Sequence, residues 1–157
     1  MTRAATPVIS VRFDERPREW RNFFQLRSVD ELVDAIVSPP PEAAPAYVRG
    51  HREIHLGDRP YDPLHAELAP MMLVAVGPDG GAVYFREVNA DGRSRGFIAQ
   101  GDGRVDAPRL PFDSQGAIEF EPRDVMSRDQ LRAIVRAYLL DGVRPETVRW
   151  RDSQWVQ

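Results

Sequence analysis

The run "LVAVGPDGGAVYFREV", Leu73 to Val88, constrains this chain more than any other stretch. Two segments rich in valine and aromatic residues flank Gly-Pro-Asp-Gly-Gly, and glycine and aspartate supply the backbone angles of a tight hairpin turn. The two flanks are therefore expected to pair as antiparallel neighbours. Asp-Gly then recurs at Asp79-Gly80, Asp91-Gly92 and Asp102-Gly103, at spacings of 12 and 11 residues. That rhythm predicts a meander in which "RGFIAQ" is the next strand and "AIEFE", Ala117 to Glu121, adds one more.

Two helices stand out against this background. In "SVDELVDAIVS", Ser28 with Glu31 forms a capping-box pattern, and Val29, Leu32, Val33, Ile36 and Val37 make an apolar stripe. Pro39 to Pro41 must end that helix, because proline lacks the N–H and crowds the preceding turn. Pro39 to Pro45 then reads as a stiff surface connection rather than a domain boundary. In "SRDQLRAIVRAYLLDG", Ser127 and Gln130 repeat the capping pattern, and Leu131, Ile134, Val135, Tyr138 and Leu139 share one face. Gly142 falls where a left-handed residue closes a helix, and Pro145 prevents continuation, so "TVRW" has room for a short strand at a sheet edge. Near the start, "VISVRF" alternates as a first strand. "REWRNFFQLR" fits either a helical face or a second strand, with Trp20, Phe23 and Phe24 as core candidates. The expected fold is α+β: one domain over residues 1–157, mainly a curved antiparallel meander packed by two helices, with a short C-terminal strand.

Composition excludes several function classes. The chain has no cysteine, which removes disulfides, thiolate metal sites and cysteine nucleophiles. A net charge of −3 argues against nucleic acid as partner. The N-terminus lacks the apolar stretch of a secretory signal, and nothing approaches the roughly 20 apolar residues of a membrane span. No membrane partner is expected, and a cytoplasmic location is. All 21 basic residues are arginine, and prolines number 14, a bias that suits a GC-rich bacterial genome.

The three histidines, His51, His55 and His65, raise the question of a metal-dependent hydrolase. Two histidines four apart share a helical face, but Glu53 lies midway between them, which matches neither helical zinc signature. As a strand, the segment points Ile54 and Leu56 inward and His51, Glu53 and His55 outward, with the two histidines about 13 Å apart. That is too far to share an ion held at about 2 Å, so they read as exposed strand histidines with no metal. Neither a serine-nucleophile elbow nor a phosphate-cradling glycine loop occurs. Glu119 and Glu121 could do acid–base work, although a solvated strand face accounts for them more simply. From the residues alone this is a binding domain, with no catalytic residues and no cofactor.

The last third of the chain resembles the Imm family numbered one, immunity proteins of bacterial polymorphic toxin systems often paired with deaminase toxins. The resemblance rests on "LRAIVRAYLLDGVRPETVRW", in which Gly142, Arg144, Pro145, Val148 and Trp150 occupy the family's closing motif. "GPDGGAVYF" and "FIAQGDG" add to it. It covers Leu73 to Trp150, while the first 70 residues match only as a strand-then-helix outline. It implies a protein that binds and neutralises a cognate toxin, of deaminase or nuclease type, by stoichiometric occlusion. The motif residues would then be structural. Toxin contacts are expected among exposed acids, with Asp102, Asp106, Asp113, Glu119 and Glu121 as candidates against a basic groove. A secretion-accessory protein with many clients is a third reading. The oligomeric state is left open.

Overall fold

The computed structural model describes residues 8–13, 20–24, 28–39, 50–64, 69–101, 110 and 119–153. They form an α+β fold whose centre is one antiparallel sheet. Its strands are β1 (Val8–Phe13), β2 (Trp20–Phe23), β3 (His51–Gly57), β4 (Met71–Val76), β5 (Gly80–Val88), β6 (Ser94–Ala99), β7 (Met126–Ser127) and β8 (Trp150–Ser153). Across the sheet the order is β2-β1-β3-β4-β5-β6-β8, and β7 pairs with the start of β5. The meander runs through β3 to β6, and the hairpin read from the sequence closes with Gly77 N–H donating to Gly80 O at 2.7 Å. The ambiguous "REWRNFFQLR" contributes a strand, because Ile9 pairs with Phe23 and Arg12 with Trp20 along the β1 edge.

Two helices cover one face. Helix α1 (Val29–Val37) begins where the Ser28 hydroxyl accepts from Glu31 N–H, and it buries Leu32, Val33, Ile36 and Val37. Helix α2 (Arg128–Asp141) is capped by Ser127 and buries Leu131, Ile134, Val135, Tyr138 and Leu139. These side chains meet Ile9, Val11, Ile54, Met72, Val74 and Phe85 from the sheet in the main core. The helices run antiparallel, and their exposed edges are joined by Asp30–Arg136 and Asp34–Arg132 ion pairs.

The second face is covered too. Met71, Leu73, Tyr84 and Ile98 pack beneath Leu110, Phe120 and Val125, which return across the sheet after β6. All six residues of β4 are consequently buried. This second layer corrects one expectation. The histidine segment is a strand with Ile54 inward, but His51 and His55 are buried, at 2% and 4% exposure, rather than exposed. A second correction concerns "AIEFE". Glu119 makes an isolated bridge, Phe120 N–H donates to Leu110 O, and a 3-10 turn follows at Pro122–Asp124, so the described part of that segment is not a strand. Residues 117 and 118, and residues 40–45 of the proline-rich connection, lie outside the described residues.

The strand registers define two ends. Gly50, the β4–β5 hairpin and β7 with the start of α2 lie at one, the hairpin end. At the other lie the β3–β4 loop after Gly57, the β5–β6 turn after Val88 and the exit of β2, since Phe23 pairs with Ile9 and Ile9 with Leu56. The close of α2 is there as well, because a Cβ placed on Gly142 would stand 3.9 Å from the Leu56 side chain.

Candidate functional site

Three groups of residues carry chemistry, and the first is the closing motif. Gly142 ends α2 with φ 71°, and its N–H donates to Tyr138 O, a left-handed cap that a branched side chain would strain. The chain then turns so that the Arg144 guanidinium lies 3.7 Å above the Phe97 ring and 3.0 Å from a Glu87 carboxylate oxygen. Pro145 is buried, and its carbonyl accepts from the Trp150 indole N–H at 2.7 Å. Val148 and Trp150 are half-buried and lean on the main core, with the indole edge-on to Phe85. Arg144 and Trp150 thus tie the turn between α2 and β8 to β5 and β6.

The second group is acidic. Glu119 and Glu121 are both exposed and lie on either side of Phe120, which anchors the segment in the second core. Glu121 pairs with Arg123 and completes a capping box around the 3-10 turn. Asp102, Asp106 and Asp113 lie outside the described residues. Beside this turn is a carboxylate that sequence reasoning missed. Asp124 is fully buried and accepts from Arg151 Nε at 3.2 Å and from its NH2 nitrogen at 2.7 Å, and from Glu121 N–H. The bond to Asp124 raises the pKa of Arg151. The signal available for this pair was slight: an acid three residues after Glu121, following a proline.

The third group surrounds His55. Its ring stacks on Tyr61 at 3.7 Å, nearly parallel, and meets Trp20 edge-on. Tyr61 N–H donates to Ser10 Oγ, which in turn donates to Asn22, so the β3–β4 loop is fastened across β1 to β2. Both ring nitrogens of His55 are buried without a hydrogen-bond partner among the described residues. Glu53 approaches Nε2 at 3.9 Å, an ion-pair distance longer than a hydrogen bond, and lies 3.6 Å from Arg12. Burial raises the Glu53 pKa, but interaction with His55, Arg12 and His51 outweighs it and holds the carboxyl below its ordinary value. Burial, then the Glu53 charge, pushes the Tyr61 phenol up. Among the described residues no group of three or more histidines and acids could hold a metal ion, and His65 lies outside them. Among the described residues, none of the three groups sets an activated nucleophile beside a base.

What the geometry offers is a fastened scaffold with charged rims, and comparison with known proteins supplies its class. The sequence model of the family described as Immunity protein Imm1 matches residues 25–152. The chain belongs to the Imm1 family. That match takes in both helices and the strands from β3 to β7, along with most of β8, and leaves β1 and β2 ahead of it. It also includes the histidine segment and the proline-rich connection, which lie ahead of the Leu73–Trp150 stretch that carries the sequence resemblance. No curated protein matches the chain. No helix among the described residues of this Imm1 protein is long and apolar enough to cross a membrane.

Proposed function

We propose that this Imm1 protein neutralises one cognate bacterial toxin by binding it stoichiometrically and occluding it, as a single domain over residues 1–157 in the cytoplasm. The observation that carries the reading is the family match over residues 25–152. The toxin belongs to a deaminase or nuclease class, whose substrate groove must be basic to hold nucleic acid. Exposed carboxylates such as Glu119 and Glu121 suit such a partner, and with Asp102, Asp106 and Asp113, which lie outside the described residues, they are the acidic set assigned to it. The protein acts without a cofactor and without catalysis of its own.

The test is titration of the purified toxin domain encoded beside this chain, with toxin activity as the readout. Occlusion gives protection that is complete at one molecule per toxin and a complex of matching composition. Protection at far lower ratios would mean turnover, and would return the histidine-based hydrolase reading.

A further inference from the structure

Isolated exposed apolar residues are ordinary on a protein surface; their distribution is what carries information. Among the described residues four large hydrophobic side chains are exposed: Phe24 at 56%, Leu64 at 86%, Leu140 at 52% and Val143 at 62%. All four belong to the end of the sheet opposite the hairpin. Phe24 follows the β2 residue that pairs with Ile9. Leu64 sits in the loop that leaves β3, and Leu140 and Val143 flank the Gly142 cap that stands over Leu56. The hairpin end carries none among the described residues.

This end is also built to stay in shape. The loop that carries Leu64 is fixed by the Tyr61 stack on His55 and by the Tyr61 N–H bond to Ser10. Arg86 reaches from β5 to the Ala69 carbonyl with two donors, at 3.0 and 2.7 Å, and ties down the far side of the same connection. Gly142 and the Arg144 contacts fix Leu140 and Val143. A preorganised apolar surface loses little entropy when it is covered.

The charges at this end indicate the occupant. Asp58 and Asp62 flank the loop and Asp141 adjoins Leu140, all exposed, and among the described residues Arg59 is an exposed cation beside them. Among the other described arginines of this end, Arg86 is buried against the Ala69 carbonyl, and Arg93, Arg95 and Arg144 are matched by Asp91, Asp152 and Glu87. A second copy of the chain, docked symmetrically through this patch, would bring like carboxylates together. A basic partner would meet them favourably. We infer that the end bearing Phe24, Leu64, Leu140 and Val143 is the surface that docks the toxin, with the apolar side chains as anchors and Asp58, Asp62 and Asp141 as an acidic rim. This rests on the immunity reading and gives it a place distinct from Glu119 and Glu121, which lie across the second face of the sheet.

The experiment uses the full chain and an inactivated form of the toxin domain encoded beside it. Leu64→Ser combined with Leu140→Ser should leave melting unchanged and speed dissociation by about tenfold or more. Amide exchange on the wild-type complex should show new protection over Gly57–Leu64 and the close of α2, an arm that does not depend on how the variant folds. Unchanged dissociation, or protection confined to the Glu119–Arg123 region, would overturn the inference and leave the immunity reading standing. A free chain that sediments as a dimer, and becomes a monomer in the variant, would assign the patch to a second copy and overturn it as well. Absence of any wild-type complex would overturn the immunity reading, and this inference with it.

Discussion

Asp124 and His55 are both buried, but only the carboxylate has its hydrogen bonds met. Asp124 faces a two-pronged guanidinium, whereas His55 relies on ring stacking and a carboxylate at 3.9 Å. Leaving buried ring nitrogens unpaired costs on the order of 1–3 kcal/mol, so the neighbourhood of Glu53 matters to stability. Because the Glu53 pKa is lowered by folding, its contribution is fully present above its ordinary value of 4.5 and is lost as pH falls through the lower folded value. Glu53→Gln should therefore be less stable than wild type near neutrality, and the gap should narrow in acid. Thermal melting of both proteins across the acid range checks this, and a gap that widens in acid would contradict it.

At the scale of elements, the helices and the hairpin were legible because their signals are local. Ser28, Ser127 and Gly142 each satisfy backbone groups within one turn, and Gly77 to Gly80 close on themselves. The burial of His51 and His55 was not legible, because outward alternation means exposure only where the outer face is wet. Here Tyr61, Leu110, Phe120 and Val125 come from other parts of the chain to cover it, and the nearest sequence signal was the unbroken apolar run Met71 to Val76. Of the candidate acids, Glu119 and Glu121 proved exposed, while the slight local pattern from Glu121 to Asp124 gave no sign of a buried pairing with Arg151, 27 residues on. The turn between α2 and β8 makes its own prediction. Gly142→Val should destabilise by more than about 1 kcal/mol, because φ 71° disfavours a branched residue. Trp150 is only half-buried, so Trp150→Ala should cost about 2–3 kcal/mol, below the 3–5 kcal/mol of a fully buried tryptophan. Denaturant unfolding measures both, and near-wild-type midpoints would mean that the turn is ornamental.

For the whole molecule, the proposed reading divides recognition between shape and charge. On that reading the net charge of −3 and the exposed Glu119 and Glu121 would act at a distance, and the apolar end opposite the hairpin on contact. Glu119→Arg with Glu121→Arg should slow association several-fold at low salt, with a difference that fades as salt rises and with dissociation little changed. Stopped-flow mixing with the toxin domain separates these rates. A large rise in dissociation would place the two glutamates inside the contact instead.

The strand order also sets a timetable. Read along the sheet, β3 to β6 lie side by side in the order in which a ribosome delivers them, so each strand can dock on its predecessor as it emerges. Besides the short β7, which returns to β5, the exception is β8, which cannot reach β6 until α2 and its closing turn have been made. Until then the backbone of Gly96 to Ala99 is an open edge, available to any extended segment nearby. The short strand Trp150–Ser153 covers that edge and becomes the last strand on its side of the sheet, so the backbone left open there is four residues long.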